Sequence, residues 1–131
     1  MATKASYEKY ARSPKGKANQ KRYLTTVKGR ANRLLGYAAK RARSKGMGFD
    51  LTPEWVQDRL SAGVCELSGV ELVLVAGKKR HPFSPSIDRR DCAGGYTQGN
   101  CRIICTMLNL ALNEFGEDAF AKLAGAFMAR R

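Results

Sequence analysis

Residues 86–113 read SIDRRDCAGGYTQGNCRIICTMLNLALN. Ser86-Ile87-Asp88-Arg89 has the make-up of a short strand, and Cys101-Arg102-Ile103-Ile104 reads as a second one. Between them runs an irregular stretch holding Gly94, Gly95 and Gly99. From Thr106 to Phe115 the pattern becomes helical, with Met107, Leu108, Leu110, Ala111 and Leu112 supplying the apolar side. The order strand, glycine-rich loop, strand, helix could set the end of the first strand over the first turns of the helix. Asp88 and Asn109 could then face one another.

Downstream, Gly116 ends this helix, and Glu117 through Met128 carries Phe120, Leu123 and Phe127 at spacings of three and four, predicting a final amphipathic helix. The basic Arg130-Arg131 end suits a helix C-terminus. Upstream, Val64-Cys65-Glu66-Leu67-Ser68-Gly69 reads as a strand end and tight turn, and Val70 to Val75 as a β segment. Gly77-Lys78-Lys79-Arg80-His81-Pro82 follows as a basic loop. Before these, Thr52 can cap a helix, Pro53 suits its first turn, and Glu54 and Asp58 favour its N-terminal end. Trp55, Val56 and Leu60 give it an apolar stripe, and Gly63 ends it. At that spacing Trp55 reads as core, with a base-stacking platform as the alternative.

The first third of the chain differs in kind. Ser13-Pro14-Lys15-Gly16-Lys17-Ala18-Asn19 is echoed by Thr26-Val27-Lys28-Gly29-Arg30-Ala31-Asn32, which suggests two helix starts, each behind a hydroxyl cap. Gly29 to Lys45 is the better helix, with Leu34, Ala38 and Ala42 on one side, and Gly46 and Gly48 to stop it. Gly36 weakens its middle. Residues 1–49 hold fourteen Lys or Arg against the single acid Glu8, a net of +13, whereas residues 50–131 balance ten bases with ten acids. The whole excess lies in the N-terminal segment. We therefore divide the chain into a basic helical arm, 1–49, and a compact module, 50–131.

Self-repulsion at that density opposes compaction unless a polyanion relieves it, and binding DNA or RNA would release condensed counterions. An acidic protein or a membrane surface is the alternative partner for such charge. With 44% hydrophobic residues the chain should fold. The absence of an early apolar run or a bilayer-length apolar stretch predicts a cytosolic protein. Cys65, Cys92, Cys101 and Cys105 suit a reducing compartment and do not form a disulfide framework.

Asp88 and Asn109 are hard oxygen ligands of the kind that suit Mg²⁺, and such an ion could stabilise charge on a cleaving phosphodiester. A structural Asp88/Asn109 pair is the alternative, because Asp and Asn commonly occupy turns.

Residues 65–116 resemble the HNH, or ββα-metal, endonucleases, particularly their small phage-encoded members. The resemblance rests on CELSG at Cys65–Gly69, PFSPSIDRRDCAGGYTQGNCRII at Pro82–Ile104, and CTMLN at Cys105–Asn109. The segments KGRANRLL, AKRARSKG and FDLTPEW also look like the leader of such proteins. It implies an α+β fold, a ββα-metal module behind a basic helical segment. It implies a metal-dependent endonuclease using Mg²⁺ or Mn²⁺, with Asp88 and Asn109 as metal ligands and Asn100 tying the loop to the backbone. Its substrate would be DNA, structured or branched forms included, with RNA also open and no membrane partner. If phage-encoded, it would work in the host cytoplasm.

Arg89 stands where the family carries its general-base histidine. Arginine does not act as a base near neutral pH, although it binds phosphate with two donors. His81, Asp91 or a metal-bound hydroxide are the candidates to take the proton. Arg89 and Arg90 would clamp phosphate, while Lys28, Arg30, Arg33, Lys40, Arg41 and Arg43, with Lys78, Lys79 and Arg80 of the loop, would grip flanking backbone. A noncatalytic DNA- or RNA-binding or regulatory protein on a degenerate HNH scaffold is the competing reading. Relatives with two Cys-x-x-Cys knuckles bind zinc, but here the matching positions pair Cys65 with Ser68 and Cys105 with Leu108, so structural zinc is not expected.

Overall fold

In the computed structural model, residues 3–77 and 79–131 are described. Among them, six helices and one two-stranded sheet make an α+β fold. The chain runs through α1 (Lys4–Arg12), α2 (Pro14–Leu24), α3 (Val27–Lys45) and α4 (Pro53–Ser61) before reaching β1 (Pro85–Arg89). It then forms β2 (Cys101–Cys105), α5 (Thr106–Leu112) and α6 (Gly116–Ala129).

The strands pair antiparallel, with Ile87 opposite Ile103 and Asp88 opposite Arg102. All five residues of β2 are buried, because helices and loops cover both of its faces. Ile103 and Ile104 anchor a core with Val56 and Leu60 of α4, Cys65, Leu72, and Leu108 and Leu112 of α5. Ala31 of α3 is fully buried in the same cluster, with Val27, Leu34 and Leu35 packed beside it. A second cluster joins Ala38 and Ala42 of α3 to Leu51, Tyr96 and Cys101. The change of charge near residue 50 therefore does not divide the packing: α3 is basic on one side and core on the other.

Side-chain caps set the helix starts. The hydroxyls of Ser13, Thr26 and Thr52 accept the backbone N–H of Gly16, Gly29 and Trp55 at 3.0–3.1 Å, each contributing about 1 kcal/mol. The echo at residues 13–19 and 26–32 becomes two matched corners. In each, the capping hydroxyl also donates to the carbonyl of a tyrosine three residues earlier, Tyr10 or Tyr23. An asparagine nine residues after each tyrosine, Asn19 or Asn32, donates to the phenol oxygen. Gly16 and Gly29 sit so close that an added Cβ would lie 2.0 Å from the Tyr10 or Tyr23 carbonyl oxygen. At the far end of α3, Gly46 takes a left-handed φ of 64° and stops the helix.

Some expectations change. Lys4–Arg12 is a helix, begun by Thr3 accepting the Ser6 N–H. Val70–Val75 forms only one bridge, Val64 with Glu71. The free edge of β2 is taken by Glu66, whose N–H donates to Ile103 O at 2.9 Å and whose carboxylate accepts the Ile103 N–H. The apolar run has no strand left to extend, and Leu72 and Leu74 line the core instead. Helix α5 ends at Leu112, three residues early, because Asn113 turns to a φ of 40°. On α6 only Phe120 packs against the core, while Leu123 and Phe127 are exposed. Trp55 is half-buried against both clusters, with the Arg59 guanidinium over its ring at 4.4 Å. No helix among the described residues is long and apolar enough to cross a membrane.

Candidate nucleic-acid interface

Lys28, Lys40, Arg41 and Arg43 project from α3 as exposed cations, as do Lys79, Arg80 and Arg90 from the loops. Lys78 lies outside the described residues. Arg41 also donates to the Tyr96 hydroxyl at 3.2 Å, which fastens α3 to the glycine-rich loop.

Two parts of this basic surface meet at one place. Arg30 and Arg33 of α3 and Lys79, Arg80 and His81 of the loop line a cavity of about 160 Å³, closed by Leu24, Val75 and Ser84 among others. No carboxylate lines it among the described residues. Arg30 is held from behind by the Leu24 carbonyl at 3.2 Å and by the Val75 carbonyl. Burial, and then the neighbouring Arg33, push its pKa below the ordinary arginine value. Clustered like charges repel one another, and an anion entering between them would relieve that repulsion. His81 lines this cavity, and its Nδ1 accepts the Phe83 N–H at 3.1 Å.

The hairpin uses its polar residues differently. Asp88 Oδ2 accepts from Arg102 Nε at 2.8 Å, the two side chains being 11% and 6% exposed. Arg102 also reaches Glu117 of α6 at 3.3 Å. Burial works against the Arg102 charge, but the hydrogen bond and charge of Asp88, joined by Glu117, hold its pKa above the ordinary value. Asn109 turns its amide nitrogen to Ser86 Oγ and to the Ile87 carbonyl. Asn100 accepts the Asp91 N–H and donates to the carbonyls of Asp91 and Gly95, fastening the loop. Arg89 lies over the Tyr96 ring at 5.0 Å and donates to the carbonyls of Cys92 and Gly94. Its guanidinium is spent on the loop, not aimed at a phosphate.

Mg²⁺ and Mn²⁺ ask for several oxygen donors around an open position. Here one carboxylate is neutralised by a buried guanidinium, and the amide beside it presents its nitrogen to the strand. No group of three or more His, Cys, Asp or Glu gathers among the described residues. As arranged, Asp88 and Asn109 do not fit a divalent ion. Cys65 and Cys105 are buried neighbours, and Cys65 Sγ accepts the Ser68 N–H at 3.4 Å. Burial pushes the Cys101 thiol up to about 11, and Cys92 is exposed.

Sequence reasoning missed Arg102, because an arginine in an apolar strand gives no sign of its partner. It also missed the Tyr10/Asn19 and Tyr23/Asn32 pairs, although their shared spacing of nine was there to extend the echo. Set against protein-family models, curated proteins and solved structures, the chain matches none.

Proposed function

We propose that this protein binds nucleic acid, gripping the phosphate backbone with α3 and the loop residues Lys79, Arg80 and His81 while the hairpin and its helices act as the scaffold. The observation that carries this reading is the cationic cavity, without a carboxylate among its described lining residues, where residues some 45 positions apart, Arg30 and Val75, come together. A phosphate oxygen entering it would relieve the repulsion between Arg30 and Arg33 and accept several charge-assisted hydrogen bonds. Exposed cations on α3 extend the contact without reading bases.

A metal-dependent endonuclease is the second reading. It is favoured by the strand–loop–strand–helix order, with Asp88 on β1, Asn109 on α5 and Asn100 tying the loop between the strands. It requires Asp88 to leave Arg102.

Fluorescence anisotropy with labelled DNA and RNA, run beside plasmid nicking in Mg²⁺ or Mn²⁺, separates the two. Binding without nicking is the expected result. Metal-dependent nicking that Asn109→Ala abolishes in a folded variant would make the protein an endonuclease. No binding to either nucleic acid in dilute salt would end both readings.

A further inference from the structure

Beside the cationic cavity lies a second, open concavity between α2 and α3, of about 470 Å³. Tyr23, Asn32, Arg33, Gly36, Tyr37 and Lys40 line it. Arg33 and Leu24 border both hollows, so the two adjoin. Two tyrosine rings are left in the open: Tyr23 is 41% and Tyr37 58% exposed. Each is nevertheless held in place. Tyr23 OH accepts from Asn32 Nδ2 at 2.7 Å, and Tyr37 OH accepts from Arg33 Nε at 3.0 Å with that guanidinium 5.4 Å above the ring.

Gly36 adds a separate observation. A glycine in the middle of a 19-residue helix weakens it relative to alanine. A close neighbour would justify one, as Tyr23 does for Gly29, but a Cβ at Gly36 would meet nothing within 4 Å. No protein contact requires glycine there. Gly36 instead leaves open space in the lining it shares with Tyr23 and Tyr37.

Resting on the nucleic-acid reading, we propose that this groove is a site for an unpaired nucleotide. Its base lies against Tyr37 and Tyr23 over Gly36, while its phosphate enters the adjoining Arg30–Arg33–Lys79 cavity. Arg33, bordering both, touches base and phosphate together. Rings with a π-face stack on any base, and cations track the backbone, so the site takes a single strand with little regard to sequence. Base pairing in a duplex would withhold the base from the groove, leaving only the phosphate contacts. DNA and RNA single strands share this chemistry.

The test is anisotropy of the full chain with labelled deoxyuridine and uridine single strands of about 16 nucleotides, which differ only in the sugar, and with a DNA duplex of similar length. Wild type, Tyr37→Ala, Gly36→Leu and Gly36→Ala are compared, with thermal unfolding of each. Tyr37→Ala and Gly36→Leu are expected to weaken single-strand binding about tenfold or more and duplex binding less than about twofold. Whichever single strand is tighter in wild type identifies the natural sugar. Gly36→Ala separates the site from mere structure: it should raise the melting temperature while lowering single-strand affinity. Equal losses on duplex and single strand, or no loss on either, would overturn the nucleotide site and leave backbone binding standing. Failure of all three probes to bind wild type would overturn the underlying reading as well.

Discussion

The two halves of this protein spend charge in opposite ways. Beyond residue 50, bases and acids balance, and the three ion pairs among the described residues, Arg59–Glu66, Arg102–Asp88 and Arg102–Glu117, all lie there. These charges serve the fold: Arg102 ties β1 to β2 and reaches α6, and Arg59 ties α4 to the turn at Glu66. In α1 to α3 the cations have a single acid, Glu8, among them. They donate to carbonyls, to the Asn19 amide oxygen and to tyrosine hydroxyls, or are left in water, and Arg30 and Arg33 share a cavity. Charges already satisfied inside the molecule explain stability. Charges left unsatisfied point to a partner outside it.

The contrast breaks first, and most visibly, at Asp88. Asp88→Ala leaves the Arg102 guanidinium buried with only the half-exposed Glu117, and should cost about 3–5 kcal/mol in denaturant unfolding. Adding Arg102→Met to the same chain should recover most of that loss. If Asp88→Ala were as stable as wild type, Asp88 would be free for other work, and the endonuclease reading would gain what the binding reading loses.

Arg30 offers the opposite behaviour. Arg30→Met removes a cation that burial and Arg33 already disfavour. The substitution also takes the donor from the Leu24 and Val75 carbonyls, so we expect unfolding stability lowered by no more than about 1 kcal/mol, nucleic-acid affinity lowered by about tenfold, and the salt slope reduced by about one. Loss of stability with unchanged affinity would place Arg30 among the structural charges.

The smallest effect concerns Cys101. Its thiol titrates near 11 in the folded chain, against about 8.5 for a free cysteine. The folded pKa is the raised one, so the stability due to the neutral buried thiol is complete below about pH 8.5. It is lost as pH rises toward about 11. The decline across that window should be shallower in Cys101→Ala, and a thiol reagent should reach Cys92 well before Cys101. Equal reactivity of the two would mean that β2 opens readily.

Much of this architecture was legible where side chains act locally. Ser13, Thr26 and Thr52 announce helix starts by what their hydroxyls can reach within three residues, and Gly46 and Gly63 announce stops. The two short strands are readable at Ser86–Arg89 and Cys101–Ile104, and the fold pairs them antiparallel. The remainder depends on neighbours that a sequence does not show. Val70–Val75 has strand composition, but Glu66 occupies the edge it would have joined. Asp88 and Asn109 have the chemistry of metal ligands, yet Arg102 and Ser86 claim them. The sequence offers His81 as a candidate base beside Asp91 or a metal-bound hydroxide, and the fold places it in the lining of the cavity shared with Arg30 and Arg33. The charge step at residue 50 suggested an arm apart from the head, whereas Ala31 is buried against Ile103's cluster. Repeats were visible as sequence, but the tyrosine corners they build emerge only when the helices fold against one another.

The central claim, that the unpaired cations of the first three helices hold a phosphate backbone, is tested most directly by the salt dependence of binding. Affinity for a DNA strand should fall steeply, by about 10³-fold or more between roughly 50 and 200 mM salt if six or more phosphates are engaged. Neutralising Arg30, Arg33, Lys40 and Arg43 together should flatten that dependence in a protein that still folds. Binding indifferent to salt, or a slope unchanged by those four substitutions, would contradict the account.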